Sequence, residues 1–364
     1  MLSCDKLIEK KQREFTAMKE QKKKHLFTNR QLAALLIPLA LDQLLNSFMG
    51  TVDTLIVSNI GSAAISAVSL VDAINILVVE AFLALAAGGT VVCSQYLGNK
   101  DVEKANKAAG QLVFVTFFLS LLMAVICIAF HEPILRAIFG KVEKEVMDNA
   151  KIYFLFSAVA FPFIALYDDG ASILRAQENS RLPMQISIIA NVLNVVLNLL
   201  FVWGFHLGVG GSACATMLAR AFAMAAVLYE LRKPKWTVHL KSYFSIRPDW
   251  DQIRRILKIG IPSGIENSMF QFGKLAIQST VSMMGTAAIA AQGMTNTLEN
   301  LNGIMAIGVG IGLMTVVGEC MGAGRQDEAI YYVKKLSIIG EVVVIASCLF
   351  IFALVRPITY FGGM

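Results

Sequence analysis

Charged residues are scarce in this chain: Asp, Glu, Lys and Arg make up 16% of 364 residues, while 56% are hydrophobic. A soluble fold of this length needs far more polar surface, so the shortage excludes an ordinary soluble globular protein. The four histidines are scattered and form no HExxH motif, and the six cysteines (Cys4, Cys93, Cys127, Cys214, Cys320, Cys348) show no CxxC spacing. A zinc site and a disulfide framework therefore both lack support, and the cysteines read as small buried residues of apolar runs. No strand alternation between turn residues recurs, which argues against a transmembrane barrel. No nucleophile and base stand out as a pair, so no enzyme is expected, and no cofactor is implied. A nucleic-acid partner is not expected either, because no folded domain carries a basic face.

What the chain does have is apolar runs, each long enough for the roughly 20 residues of helix that cross a bilayer. Nine of them centre near Ala40, Leu77, Phe118, Ala160, Val196, Met224, Gln271, Ile304 and Ile345, and mean hydropathy is +0.63. The expected fold class is an all-α polytopic membrane protein. If the spans alternate, twenty-five basic residues fall on one side, including those before residue 31 and those between Arg232 and Lys258. Only Arg136, Lys141, Lys144, Lys151 and Arg356 fall on the other. The positive-inside rule then makes the amino terminus and the long middle loop cytoplasmic. The charged first 31 residues and the full-length first run match no cleavable signal, and the lysines at 22 to 24 suit topology or lipid headgroups.

The chain also repeats. "IPLALDQLLNSFMGTVDTLIVSNIGSAAISA" from Ile37 aligns without a gap on "IPSGIENSMFQFGKLAIQSTVSMMGTAAIAA" from Ile261, a constant offset of 224. Pro38 meets Pro262, Asp42 meets Glu266, and Gly61, Gly88 and Gly98 meet Gly285, Gly312 and Gly322. About six spans separate the two starts, so the repeats enter the membrane from the same side and form two parallel-related helical lobes. The expected organisation is a cytoplasmic segment 1–31, an amino-terminal lobe 32–231, a cytoplasmic linker 232–255 and a partial carboxy-terminal lobe 256–364. Doubling the period predicts about 448 residues and twelve helices, of which about nine are present. A truncated frame and a genuine loss of three helices are both open.

Charges at bilayer depth cost a few kcal/mol, so each marks a candidate site. Asp42 and Asp53, eleven residues apart, fall within about 20° on one helix face, and Asn46 extends that stripe. They suit two depths of one pathway, although Asp53 also suits a helix cap near the outer interface. Asp72, Asn75 and Glu80 interrupt the second span, where a functional role and buried bonding to a neighbouring helix are equally open. Asn191, Asn194 and Asn198 form a stripe on the fifth span, fit either for cation ligation or for helix packing. Near Pro262, Asn267, Gln271, Lys274 and Gln278 form another, with Glu266 beside it. Gln292, Asn296, Glu299, Asn300 and Gly303 follow on the next span. Burial should depress the Lys274 pKa unless a carboxylate, Glu266 or Glu299, stands near. The alternatives are a proton-labile wall facing a cavity between the halves and a buried ion pair locking two helices. Asp168, Asp169 and Arg175 suit a gate or loop anchor at a helix end.

"MGTVDTLIVSNIGSAAISAVSL", "SQYLGNKDVEKA" with its echo "GECMGAGRQDEA", and "GIPSGIENSMFQFGKLAIQS" resemble the MATE family of multidrug and toxic-compound extrusion transporters, from about Thr28 to the end. The resemblance implies a twelve-helix antiporter of two six-helix lobes. It would sit in the plasma membrane as a multi-pass monomer and export organic, often cationic, compounds in exchange for protons or sodium ions. By position, Asp53 matches the family's cation-coupling aspartate and Asn194 its fifth-span asparagine. Asn198 stands where an aspartate is usual, which removes a carboxylate from a possible sodium site at Asp53, Asn194 and Asn198. Glu266 resembles a seventh-span acid of some members.

The expected mechanism is secondary-active export: a cavity binds an amphipathic cation near carboxylates, and protonation or sodium binding at Asp53 favours its release. One rival is a lipid-linked oligosaccharide flippase, which needs several basic cavity residues where only Lys274 and Arg220 are candidates. Another is a non-transporting remnant.

Overall fold

The computed structural model describes residues 25–139, 142–240, 243, 246–282 and 286–361. Nine long helices appear among them: α1 (Asn29–Ser58), α2 (Ser62–Gly98), α3 (Val102–Ala129), α5 (Lys144–Ala176), α6 (Arg181–Asn198), α7 (Gly208–Leu231), α8 (Trp250–Ser282), α9 (Thr286–Gly322) and α10 (Gln326–Phe361). A short α4 (His131–Phe139) lies between α3 and α5. No strand occurs among the described residues. Seven of the helices are long and apolar enough to cross a membrane, and the chain is a multi-pass membrane protein.

Local chemistry sets the helix ends. Thr28 accepts from the Gln31 amide while the Gln31 side chain accepts from the Thr28 amide, a reciprocal cap that starts α1. Asp101 caps α3 through the Lys104 amide at 3.1 Å. Asp249 accepts from the Asp251 and Gln252 amides, so α8 begins at Trp250, inside the stretch expected to be linker. Pro38, Pro162 and Pro262 lie within helices, where neighbouring helices support the backbone. Past Asn198, α6 continues as a π-helical turn over Leu199–Gly204, with Phe205 bonding back to Leu200.

Helix α5 is central, packing on α2, α3 and α7, while α1 packs on α6 and α9. Helix α2 also packs on α8 and α9. The 224-residue repeat reappears in these contacts. A side chain at Gly98 would overlap the Glu319 carbonyl, and one at Gly322 would overlap the Gln95 carbonyl. Gln95 and Glu319, like Gly98 and Gly322, are repeat partners, so α2 and α9 cross backbone to backbone about a local twofold. The α1–α9 contact of Ala40 with Gly308 likewise mirrors the α8–α2 contact of Gly264 with Ala84.

The middle segment is fastened to the bundle. Gln111 donates to the Arg247 carbonyl and accepts from the Asp249 amide, and Gln177 exchanges two bonds with the Val238 backbone. Lys107 pairs with Asp249 and holds its carboxyl below the usual carboxylate range. Ahead of α1, the Phe27 backbone exchanges two bonds with the Tyr332 hydroxyl of α10. Large apolar side chains remain exposed on the outer faces, among them Phe118, Leu122 and Val125 on α3 and Met269, Phe270 and Phe272 on α8. Such faces suit lipid.

Candidate functional site

The 100° spacing that places Asp42, Asn46 and Asp53 on one face of α1 directs them toward α5, α6 and α7. Asp42 is 3% exposed and pairs with Arg175 of α5 at 3.6 Å. Its other oxygen accepts from Asn46 at 3.3 Å. The Asn46 Oδ1 accepts in turn from Ser187 at 3.3 Å and Asn191 at 3.1 Å, both on α6.

Further along α6, Asn194 donates to Thr216 of α7, and Asn198 donates to both Asn194 Oδ1 and Asp53 Oδ1, each at 3.1 Å. A continuous polar seam thus joins Arg175 to Asp42, Asn46 and Asn191, and a second knot joins Thr216, Asn194, Asn198 and Asp53. Asn198 is fully buried, and among the described residues its Oδ1 has no hydrogen-bond partner. The π-helical turn begins at the next residue. Asp53 lies within α1, five residues before its end, so it does not cap the helix.

Two cavities meet at Asp53. The smaller, about 100 Å³, is lined by Asn46, Asn191, Asn194, Asp53, Thr216 and Arg220 among others. The larger, about 230 Å³, has apolar and aromatic walls from Val57, Val68, Tyr153, Phe156 and Phe161. Its polar lining includes Asp53, Asp72, Asn75, Ser157, Ser212, Thr216 and Arg220. Asn75 holds the far side by donating to Asp72 at 3.4 Å and to Ser157 at 3.2 Å. The two cavities share Gly50, Asp53, Thr216 and Arg220. One carboxylate therefore faces both an apolar-walled space and an amide-lined one.

The seam and its knot collect Asp42, Asp53, Asn194 and Asn198, and Asp72 faces Asp53 across the larger cavity. Other expected site residues lie elsewhere. Glu80 accepts from Asn267 of α8 at 2.9 Å and so joins α2 to α8. Lys274 pairs with Glu299 at 3.0 Å, and Glu266 stands apart and exposed, because eight residues turn it about 80° from Lys274. The Lys274 and Glu299 side chains are 37% and 52% exposed. The pair is thus not buried, contrary to the alternative of a buried lock, and Phe270 packs under the Lys274 ammonium. Gln271 is half-buried and lines neither cavity. The side chains of Gln278, Gln292, Asn296 and Asn300 lie outside the described residues. Asp169 is fully buried, and Arg175 reaches across from α5 to Asp42 of α1.

Both cavities described here lie among α1, α2, α5, α6 and α7, within the first repeat. Sequence reasoning did not find Tyr153, Ser157 or Thr216. Tyr153 and Ser157 lie four residues apart, and Ser212, Thr216 and Arg220 recur every four, spacings that place each set on one helix face. Arg220 stood out only as a basic residue. A sodium ion at Asp53, Asn194, Asn198 and Thr216 would have oxygen ligands of the right hardness but a single carboxylate. Among the described residues, no group of three or more His, Cys, Asp or Glu side chains forms a metal cluster.

The "Probable multidrug resistance protein NorM" of Thermotoga maritima is 25% identical over 330 residues, covering 86% of this chain and 68% of that protein. "Uncharacterized transporter YisQ" of Bacillus subtilis is 27% identical over 306 residues, covering 82% and 66%. The chain thus spans about two thirds of the length of these relatives. Among solved structures, a MOP superfamily transporter from Pyrococcus furiosus superposes with a TM-score of 0.86 at 19% identity, covering 91% of this chain and 73% of that one. An outward-facing MATE family multidrug resistance transporter superposes at 0.82, also at 19% identity, covering 88% and 71%. Both likenesses concern the fold. The MatE family model matches residues 38–200 and 262–364, two segments whose starts are Pro38 and Pro262, and the chain belongs to the MatE family.

Proposed function

We propose that the chain is, or is part of, a secondary-active multidrug exporter that moves organic cations in exchange for protons or sodium ions. The observation that carries this reading is Asp53, one carboxylate facing both an apolar-walled cavity and an amide-lined one. A substrate cation in the larger cavity and a coupling ion in the smaller compete for the same negative charge. Binding of either lowers the affinity for the other, which is the differential affinity that exchange requires. Asn198 and Asn194 orient the carboxylate, while Tyr153, Phe156 and Phe161 offer the aromatic face that an amphipathic cation favours. No cofactor is needed beyond the coupling ion.

In this reading, residues 32–231 and 256–364 are two lobes, the latter partial, joined by a cytoplasmic connection at 232–255. The protein sits as a monomer in the plasma membrane, in contact with lipid, with its amino terminus in the cytoplasm and residues 1–31 preceding the first span. Its coupling ion remains to be measured, and Glu80, Glu266, Gln271, Lys274, Asn296 and Glu299 stand as secondary candidates for the substrate path. A lipid-linked oligosaccharide flippase is less well supported, since Arg220 is the one basic residue lining either cavity.

The test is uptake of a fluorescent organic cation into proteoliposomes under an imposed proton gradient and then a sodium gradient, with Asp53→Asn alongside. Gradient-driven uptake lost in the variant supports the exporter. Uptake unchanged in the variant rejects the role of Asp53.

A further inference from the structure

The outer face of α8 changes character along its length. Trp250, Arg254 and Lys258 recur every four residues at the end that receives the middle segment, and all three are exposed. Ile261, Ile265, Met269 and Phe272 continue the stripe at spacings of three and four, and they too are exposed. At 100° per residue the whole set falls within an arc of about 100° on one face. From Ile261 to Phe272 the apolar part runs about 17 Å at 1.5 Å per residue, close to half of a hydrocarbon core about 30 Å thick. The face thus offers an indole and two cations at one end, and one leaflet's depth of apolar surface beyond them.

The first repeat supplies a control. At the offset of 224, Ile37, Leu41 and Phe48 of α1 correspond to Ile261, Ile265 and Phe272, and they remain exposed although α6 and α7 pack on α1. The stripe therefore lies on the side that faces lipid in both repeats. Its polar end is not shared: Leu26, Gln31 and Ala34 stand where the second repeat has Trp250, Arg255 and Lys258, and Arg254 alone has a basic counterpart, Arg30.

The cations of α8 also lack acid partners. Lys104 pairs with Asp101, Lys107 with Asp249, and Lys233 and Lys235 with Glu230. Among the described residues no hydrogen bond or ion pair engages Arg254 or Lys258, and Arg255, exposed beside them, meets only the neutral Tyr96 hydroxyl. Asp251 is the single acid of this stretch and pairs with none of them, which leaves three positive charges against one negative.

We propose that this face of α8 is a docking site for an anionic phospholipid, with the phosphate on Arg254, Arg255 and Lys258, Trp250 against the headgroup and an acyl chain along Ile261 to Phe272. Tryptophan favours the membrane interface, and long basic side chains reach up from an apolar face to meet phosphate there. A zwitterionic lipid offers the same acyl chain, but its own ammonium meets the three cations as a like charge, so charge decides between the two. The inference stands apart from the exporter reading, since neither transport nor substrate enters it.

The test is titration of the full chain, stripped of lipid in detergent, with phosphatidylglycerol and with phosphatidylcholine of the same acyl chains, the bound lipid being counted by native mass spectrometry. The first phosphatidylglycerol is expected to bind about fivefold or more tighter than phosphatidylcholine. Arg254→Gln, Arg255→Gln and Lys258→Gln together should erase that preference. Arg254→Lys with Arg255→Lys should keep most of it, which separates lost charge from lost folding, and Arg30→Gln on α1 should leave it unchanged. Equal binding of the two lipids overturns the inference. So does a preference that survives the triple substitution, which would belong to the basic residues elsewhere on the chain. Glycerol phosphate, the same acid without acyl chains, should not displace the lipid at equal concentration; displacement would mark a site for soluble phosphate and overturn the lipid assignment.

Discussion

Helices α1 and α8 begin their repeats with the same Ile-Pro pair and follow matching paths, yet their interiors differ. Asp42, Asn46, Gly50 and Asp53 of α1 correspond to Glu266, Phe270, Lys274 and Ile277 of α8. On α1 these positions build a hydrogen-bonded seam against α5 and α6. On α8, Phe270 and Ile277 are 60% and 58% exposed, and Lys274 reaches sideways to Glu299. The repeat therefore carries the backbone path and the glycine crossings but not the polar chemistry. Steric constraint explains the first, because Gly98 and Gly322 touch opposing carbonyls where no side chain fits. Partner supply explains the second: a buried carboxylate survives where α5 and α6 bring a partner to it, Arg175 to Asp42 and Asn198 to Asp53.

Three substitutions break or sharpen this contrast. The largest effect belongs to Arg175→Ala, which leaves Asp42 buried without its counter-charge. It should cost about 3–5 kcal/mol, read as a fall in thermal unfolding temperature in detergent. Asp42→Asn added to it should recover much of the loss, and no recovery would mean that packing and not charge is at stake. Next comes Gly98→Ala. Its methyl group would meet the Glu319 backbone, and overpacking of about 1–3 kcal/mol should lower the same unfolding temperature. An equal loss at Gly322→Ala would sharpen the local twofold. The smallest is Lys274→Met, which removes a half-exposed ion pair worth at most about 1 kcal/mol. A loss as large as that at Arg175 would show that α8 is covered in a way its exposure denies.

Much of this was legible before any coordinates. The eleven-residue interval between Asp42 and Asp53 placed both on one face, and the three asparagines of α6 announced the helix that would meet them. The 224-residue register foretold the glycine pairs, because a backbone contact repeats whenever its path does. The partners were less legible. Nothing local says that Lys274 chooses Glu299 over Glu266, that Glu80 reaches Asn267, or that Gln111 and Gln177 pin the middle segment down, since each depends on how helices far apart in sequence come to lie. Tyr153, Ser157 and Thr216 carried a signal that went unread, since Tyr153 and Ser157, and Ser212, Thr216 and Arg220, recur at spacings of four on their helices. The cavities described here follow the uneven supply of polar partners to α1.

The central claim is that Asp53 serves substrate and coupling ion in turn, and competition between them tests it most directly. The measurement is the affinity of an organic cation for the full chain in detergent, titrated at a series of proton and sodium activities, in wild type and in Asp53→Asn. The account predicts that wild-type affinity falls as the activity of one of these ions rises and that Asp53→Asn is insensitive to both. A variant that keeps the wild-type ion dependence would contradict it and move the coupling to another carboxylate.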